Sequence, residues 1–353
     1  MRYKSLTVAL AAAGKPTCSL VMPGGERILL LPHGGRVLGL FPAHDDENFY
    51  WTHPALEKPD TARAFYSSGA WENSGGDRTW LSPELDIFFP GYPDLNTSGY
   101  FQPRQLDPGS YVLEERGGAV QLVNRLSLNL YRSKARVDLE IRKWVIPAAN
   151  PLRYERNVDA LSQVQYAGYT QHTALAINGG DEARVGLWNL IQMPHGGDMI
   201  VPVYSRSDPR ICFGSIPSED LVVTDHAIRW KMHASGAHKI GVRAIATTGR
   251  AGYYYRSGES ANLIVRDFTV DPSGEYIDVP WDDPDDLGYA MQACNVDNHM
   301  GSFSELEYHV PAIGCGTGLG QCEDVSRVRA FRGPRRAVED VMARLLFPGT
   351  STP

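Results

Sequence analysis

Hydrophobic and polar residues alternate with a period of two over much of the chain. In the clearest stretch Val137, Leu139 and Ile141 interleave with Asp138, Glu140 and Arg142, a pattern that in an extended chain sends one set to each face of a sheet. Val120, Leu122, Leu126, Leu128 and Leu130 approximate the same period. Near the start, apolar runs at 17–22 and 27–31 flank the turn sequence PGGE and read as a hairpin, and HGGR then leads into VLGLF. Further strand-like runs lie around 166–177, 185–193, 210–216, 221–232, 238–247, 262–270 and 303–310, with Gly, Pro, Asp or Asn between most of them.

Helical spacing is confined to the two ends. Tyr3, Leu6 and Leu10, with Gly14 placed for a C-terminal cap, predict a helix over about 2–13. Val338, Val341, Met342, Leu345 and Leu346 form one apolar stripe and predict a helix over about 335–347 that lies against a sheet. No sustained helical pattern separates the strands, which disfavours a parallel sheet with helical crossovers. With no fixed-period repeat and no long linker, the prediction is a single all-β domain over 1–353.

Composition agrees and narrows the partners. The 35 glycines and 24 prolines supply turns, which favours many short strands. A net charge of −7, with no basic stripe, argues against nucleic acid as a partner. Cys18, Cys212, Cys294, Cys315 and Cys322 lack the paired spacings of a zinc site and read as free thiols of a reducing compartment. The apolar stretch after MRYK superficially matches a secretory signal, but its helical spacing favours a helix of the folded domain. A cytoplasmic protein is expected, with export through an N-terminal signal as the alternative. No apolar stretch approaches the length that spans a membrane, so no membrane partner is expected.

Candidate chemistry falls in a few clusters. In NSGGDRTWLSPE, paired glycines allow close backbone approach, Arg78 offers a forked donor, Asp77 and Glu84 accept hydrogen bonds, and Trp80 and Trp71 present ring faces. The competing reading is a surface loop pinned by an Asp–Arg pair. In GSFSELEYHVPA a strand would place Phe303, Glu305, Glu307 and His309 on one face, where the alternative is a solvated outer strand. His172 lies within an apolar strand, as core histidines do, and His195 sits at a strand end, where functional groups are commonly displayed. Asp45, Asp46 and Glu47, and the acidic run at 281–289, read as loops. No phosphate-cradling loop, nucleophile elbow, zinc-binding helix motif or CxxC pair is present.

The ordered series ILLLPHGGRVLGLF, NFYWTHPAL, GGDRTWLSPE, FFPGYPD and FSELEYHVPA resembles the landmarks of the galactose-mutarotase-like (aldose 1-epimerase-like) superfamily, over about 15–312, and is most similar to its uncharacterised branches. The resemblance implies a β-supersandwich of large antiparallel sheets whose concave face holds a sugar. It implies that Glu307 is the base, that His195 or, second, His172 is the acid, and that Arg78 contacts the sugar. The histidine segment NHxYFNL of authentic mutarotases is absent, and the proline-aspartate that follows their glutamate is changed. Asp77, Trp80, Glu84, Glu305 and His309 complete the candidate sugar-binding set. The implied reaction is interconversion of sugar anomers by two proton transfers, with no cofactor and no metal. A glycosidase or polysaccharide lyase using Glu84 or Glu305 beside Glu307, or a non-catalytic sugar-binding module, are the alternatives.

Overall fold

The computed structural model describes residues 1–347 apart from 23, 117–118, 156–161 and 181. Two ten-stranded sheets dominate it. The first runs β1 (Cys18–Val21), β2 (Arg27–Leu31), β3 (Arg36–Phe41), β4 (Asp77–Ser82), β9 (Arg184–Pro194), β18 (Gly301–His309), β17 (Met291–Asn298), β14 (Gly236–Val242) and β11 (Arg210–Phe213), with β19 (Ile313–Gly314) paired to β9. The second runs β12 (Leu221–Val223), β13 (Ala227–Lys231), β10 (Asp198–Pro202), β15 (Arg250–Ser257), β16 (Ser260–Asp267), β20 (Gln321–Pro334), β8 (Gln165–Gly179), β7 (Ala135–Pro147), β6 (Ala119–Leu130) and β5 (Val112–Arg116). The ladders are antiparallel throughout, as the alternating pattern requires.

Both terminal helices form. In α1 (Tyr3–Ala12) the buried Leu6, Ala9 and Leu10 pack on Leu29, Leu31, Leu38 and Phe41 of the hairpin, and Gly14 takes the left-handed conformation (φ 67°) expected beyond a helix end. The C-terminal helix (Arg335–Leu346) sets Val338, Val341, Leu345 and Leu346 against Leu263, Val265 and Phe331 of the second sheet. Among the described residues two further α-helices carry no clear helical period in the sequence. One is Pro59–Ser67, which packs on α1, and the other is the single turn Glu84–Ile87. The run at 221–232 is broken into β12 and β13 by a turn in which Thr224 Oγ1 accepts from the backbone N–H of Ala227 at 3.1 Å.

One large hydrophobic cluster lies between the sheets, a second extends from there to the outer face of the first sheet, and a buried polar network lies beside them. Asp77 of β4 pairs with Arg266 of β16 at 3.2 Å and accepts from the Tyr169 hydroxyl at 2.6 Å, and Tyr169 in turn meets Tyr50 at 2.8 Å. Tyr308 of β18 accepts from Asn189 Nδ2 at 3.0 Å and donates to Asp324 of β20. Lys143 of β7, fully buried, donates to the Asp77 carbonyl at 3.2 Å. Burial pushes its ammonium down to about 8.

Candidate active site on the outer face of the first sheet

Strands β4, β9, β18, β17 and β14 lie side by side, and their antiparallel register stacks side chains into rungs on the face turned away from the second sheet. One rung joins Trp80, Trp188 and His309. The next joins Arg78, Leu190, Glu307 and Gln292, and the third joins Gln192, Glu305, Cys294 and Lys239. Alternation along β18 gives Glu305, Glu307 and His309 to this face and Ser304, Leu306 and Tyr308 to the interior. The face is covered rather than solvated: Glu307 is 0% exposed, His309 1% and Glu305 7%.

The cover comes from aromatic residues of two loops. Phe88 stacks on Tyr100 at 5.4 Å, and Trp281 lies against Phe89, Tyr100 and Phe213. Beneath them Glu84 accepts from the Tyr100 hydroxyl at 2.7 Å and from Trp281 Nε1 at 2.9 Å. Arginines pin the loop that carries Trp281: Arg210 pairs with Asp282, Arg132 with Asp285 and Arg243 with Asp286. At the other edge Asp107 takes a bidentate contact from Arg36 at 2.9 and 3.0 Å and accepts from the indoles of Trp71 and Trp80 at 3.1 and 3.0 Å. Burial alone would raise the Asp107 carboxyl, but Arg36, Arg78 and the two indoles hold it below its usual range.

Charge is dense on the floor. Arg78 bonds Glu305 Oε1 and Asn73 Oδ1, each at 3.1 Å, with its guanidinium 4.2 Å from the Trp80 ring centre. Gln192 donates to the same Glu305 oxygen at 2.9 Å. Glu307 Oε2 accepts from Trp188 Nε1 at 2.8 Å and lies 3.3 Å from Lys239 Nζ, which is also 3.8 Å from Glu84. Glu307 Oε1 is buried without a partner, as are Arg78 Nε, Asn73 Nδ2 and both ring nitrogens of His309. His309 stacks on Trp188 at 5.5 Å and has Asp278 3.7 Å from Nε2.

These surroundings set the protonation states. Burial raises Glu307 to about 7 against the pull of Lys239, and the neighbouring Glu305, Glu84 and Asp278 push the same way as burial. Glu84 is raised by burial and by Asp278. Burial disfavours a charge on Lys239, but Glu307, Glu84 and Asp278 outweigh it and keep the ammonium above its ordinary value. Burial, then Lys239, hold His309 well below the usual imidazole range, so it is neutral.

The structure brings together six of the nine residues singled out from the sequence: Arg78, Trp80, Glu84, Glu305, Glu307 and His309. Three lie elsewhere. Asp77 faces the interior and is spent on Arg266 and Tyr169. His172 sits on the second sheet, stacked on Trp144 at 4.9 Å. His195 follows the end of β9, five positions beyond Leu190, the cross-strand neighbour of Glu307, which separates them by about 17 Å at the usual rise per residue. Its Nε2 meets the carbonyl of Ala234 at 3.3 Å. Neither histidine reaches Glu307.

Lys239, Gln192, Gln292, Cys294, Asp278, Tyr100 and Trp281 are site residues that the sequence reading missed. Lys239 carried a usable signal, since a lysine inside the apolar strand GAHKIGV must find a partner if it points inward. The two glutamines and the cover residues carried none.

A family model, described as a family of unknown function (DUF6786), matches residues 55–348. The chain belongs to that family. No curated protein matches it in sequence. Its fold is similar to that of a putative aldose 1-epimerase from Escherichia coli K12, with a TM-score of 0.54, 10% identity, and coverage of 90% of this chain and 99% of that one. A galactose mutarotase-like protein from Lactobacillus casei ATCC 334 gives a TM-score of 0.44 at 11% identity over 90% and 99% of the two chains. Galactose 1-epimerase from Lactobacillus acidophilus NCFM gives 0.40 at 6% identity over 90% and 94%. This chain thus has the galactose-mutarotase-like fold, an antiparallel β-sandwich of two large sheets.

Proposed function

We propose that the protein binds a monosaccharide-sized carbohydrate on the outer face of the first sheet and interconverts its anomers by proton transfer. One observation carries the reading: Glu307 stands at the centre of the floor with one oxygen held by Trp188 and Lys239 and the other free. A base lifted to about 7 is ionised in useful proportion near neutrality and returns its proton readily. Trp80 and Trp188 wall the floor, their rings packed against Arg78 and against His309 and Lys239. The unpartnered donors Arg78 Nε and Asn73 Nδ2 match hydroxyl oxygens of the kind a sugar presents.

In this reading Glu307 takes the anomeric hydroxyl proton while a donor on the same face polarises the ring oxygen. His309 fills that second role. It lies two residues along the strand, both ring nitrogens lack partners, and a neutral imidazole serves as an electrophile through its N–H. Lys239 holds the Glu307 side chain in place. The resemblance that pointed to a histidine acid is kept, with His309 in place of His195.

Polarimetry of freshly dissolved α-glucose and α-galactose tests it. The expected result is equilibration faster than the spontaneous rate, falling by about 10²–10⁴-fold in Glu307→Gln. Equal rates with and without protein, or release of new reducing ends from oligosaccharides, would sink the reading.

A further inference from the structure

We infer that the preferred ligand is an amino sugar whose ammonium group sits between Glu305 and Glu307, an inference that rests on the carbohydrate reading and names its substrate class. The floor has an excess of acceptors. Glu307 Oε1, Gln192 Oε1 and Gln292 Oε1 are buried with no donor. They belong to two adjacent rungs, since Gln192 is the cross-strand neighbour of Glu305 and Gln292 that of Glu307. Between them, carboxylate oxygens of Glu305 and Glu307 and the Cys294 sulfur all lie within 4.8 Å of one another.

The hydrogen-bond inventory selects the group that fits. A hydroxyl brings one donated hydrogen, whereas an ammonium brings three and a compact positive charge. The protein donors that reach these two carboxylates go to the opposite oxygens. Arg78 and Gln192 both bond Glu305 Oε1, and Trp188 and Lys239 both approach Glu307 Oε2. The charge count agrees. Glu84, Asp278, Glu305 and Glu307 share this space with the two cations Arg78 and Lys239 among the described residues. A phosphate or carboxylate on the sugar would add to the excess in a place closed to water, where like charges repel most. Arg78 Nε and Asn73 Nδ2 remain for the neutral hydroxyl oxygens at the β4 edge.

Calorimetric titration of the full chain with glucosamine, galactosamine, the parent hexoses, their N-acetyl derivatives and a hexose 6-phosphate tests the inference. The amines are expected to bind at least about tenfold tighter than the parent hexoses, the equivalent of one charge-assisted hydrogen bond. N-acetylation, which removes the charge, is expected to abolish that advantage. The 6-phosphate is expected to bind most weakly. Glu305→Gln is expected to narrow the gap between amine and hexose, and the ligand series stands by itself if that variant does not fold.

Equal affinity for amine and hexose overturns the amino-sugar inference and leaves the carbohydrate reading standing. Failure of every sugar to bind overturns both. Stoichiometric Zn²⁺ binding that disappears in Cys294→Ser would show that the acceptors serve a metal ion, which also overturns the inference.

Discussion

Asp77 and Arg78 are consecutive in the chain and belong to opposite sides of the sheet: Asp77 pairs with Arg266 between the sheets at 3.2 Å, and Arg78 pairs with Glu305 on the outer face at 3.1 Å. The period of two in β4 therefore divides one Asp–Arg dipeptide into a structural charge and a site charge. Their substitutions should separate in the same way. Asp77→Asn removes one partner of a fully buried pair and is expected to lower stability by about 3–5 kcal/mol, read from the denaturant midpoint. If the midpoint stays put, Asp77 does not have the structural role assigned to it.

Glu307 gives the site a pH dependence. As the proposed proton acceptor it must be ionised, so turnover is expected to rise with pH through about 7 and level off above. The sign for stability is opposite. The folded chain holds this proton more tightly than the unfolded one, so the contribution of Glu307 is fully present below its ordinary value of 4.5 and is lost as pH rises through about 7. Chemical denaturation at intervals across that window should show the slope, and Glu307→Gln should lack it.

Lys143 behaves as a buried cation held below its ordinary value, at about 8 against 10.5. The unfolded chain binds the proton more tightly, so this group detracts from stability at neutral pH and ceases to do so at high pH. Lys143→Met is expected to be more stable than the parent at pH 7, by on the order of 1 kcal/mol or more, with the gain shrinking towards pH 10. Paired denaturation curves at the two pH values test this, and a loss of stability at pH 7 would contradict it.

The histidine assignment can be tested directly. His309→Asn is expected to lower turnover by about 10²-fold or more. His172→Phe and His195→Ala lie away from Glu307 and are expected to leave it within about twofold, the ordinary result of substitution outside a site. A loss confined to His195→Ala would move the acid back to the strand end.

Two hydrogen bonds tie the aromatic cover to Glu84, one from Tyr100 at 2.7 Å and one from Trp281 at 2.9 Å. Trp281→Phe keeps the ring contacts and removes the donor. It is expected to speed amide exchange in the 281–289 loop, because a bond to a charged acceptor contributes roughly 1.5–3 kcal/mol. Unchanged exchange would place the control of that loop in its arginines.

Much of this arrangement was legible in the sequence because period-two alternation is a local property. Glu305, Glu307 and His309 could be placed on one face before any neighbour was known. β4 is not legible as a strand because a strand with both faces buried and polar pairs on each shows no apolar alternation: its partners, Arg266 and Glu305, are supplied from far along the chain. β20 is hidden for a related reason, since its inward positions include Asp324 and Ser326. His172 and His195 lie away from Glu307 because strand position says which face a residue takes but not which strands become neighbours. His309 shares its strand face with Glu307 by alternation, and register adds Trp188 beside it.

The pair between Arg78 and Glu305 joins residues 227 positions apart. A partly folded chain cannot hold such a site, because the strands that build its floor meet only when the sheet is complete. Closing contacts of such separation is entropically costly and comes late in folding. A ligand resting on all these strands would act as a clasp on the whole molecule: at a hundred times its dissociation constant it would add about 2.7 kcal/mol against global unfolding.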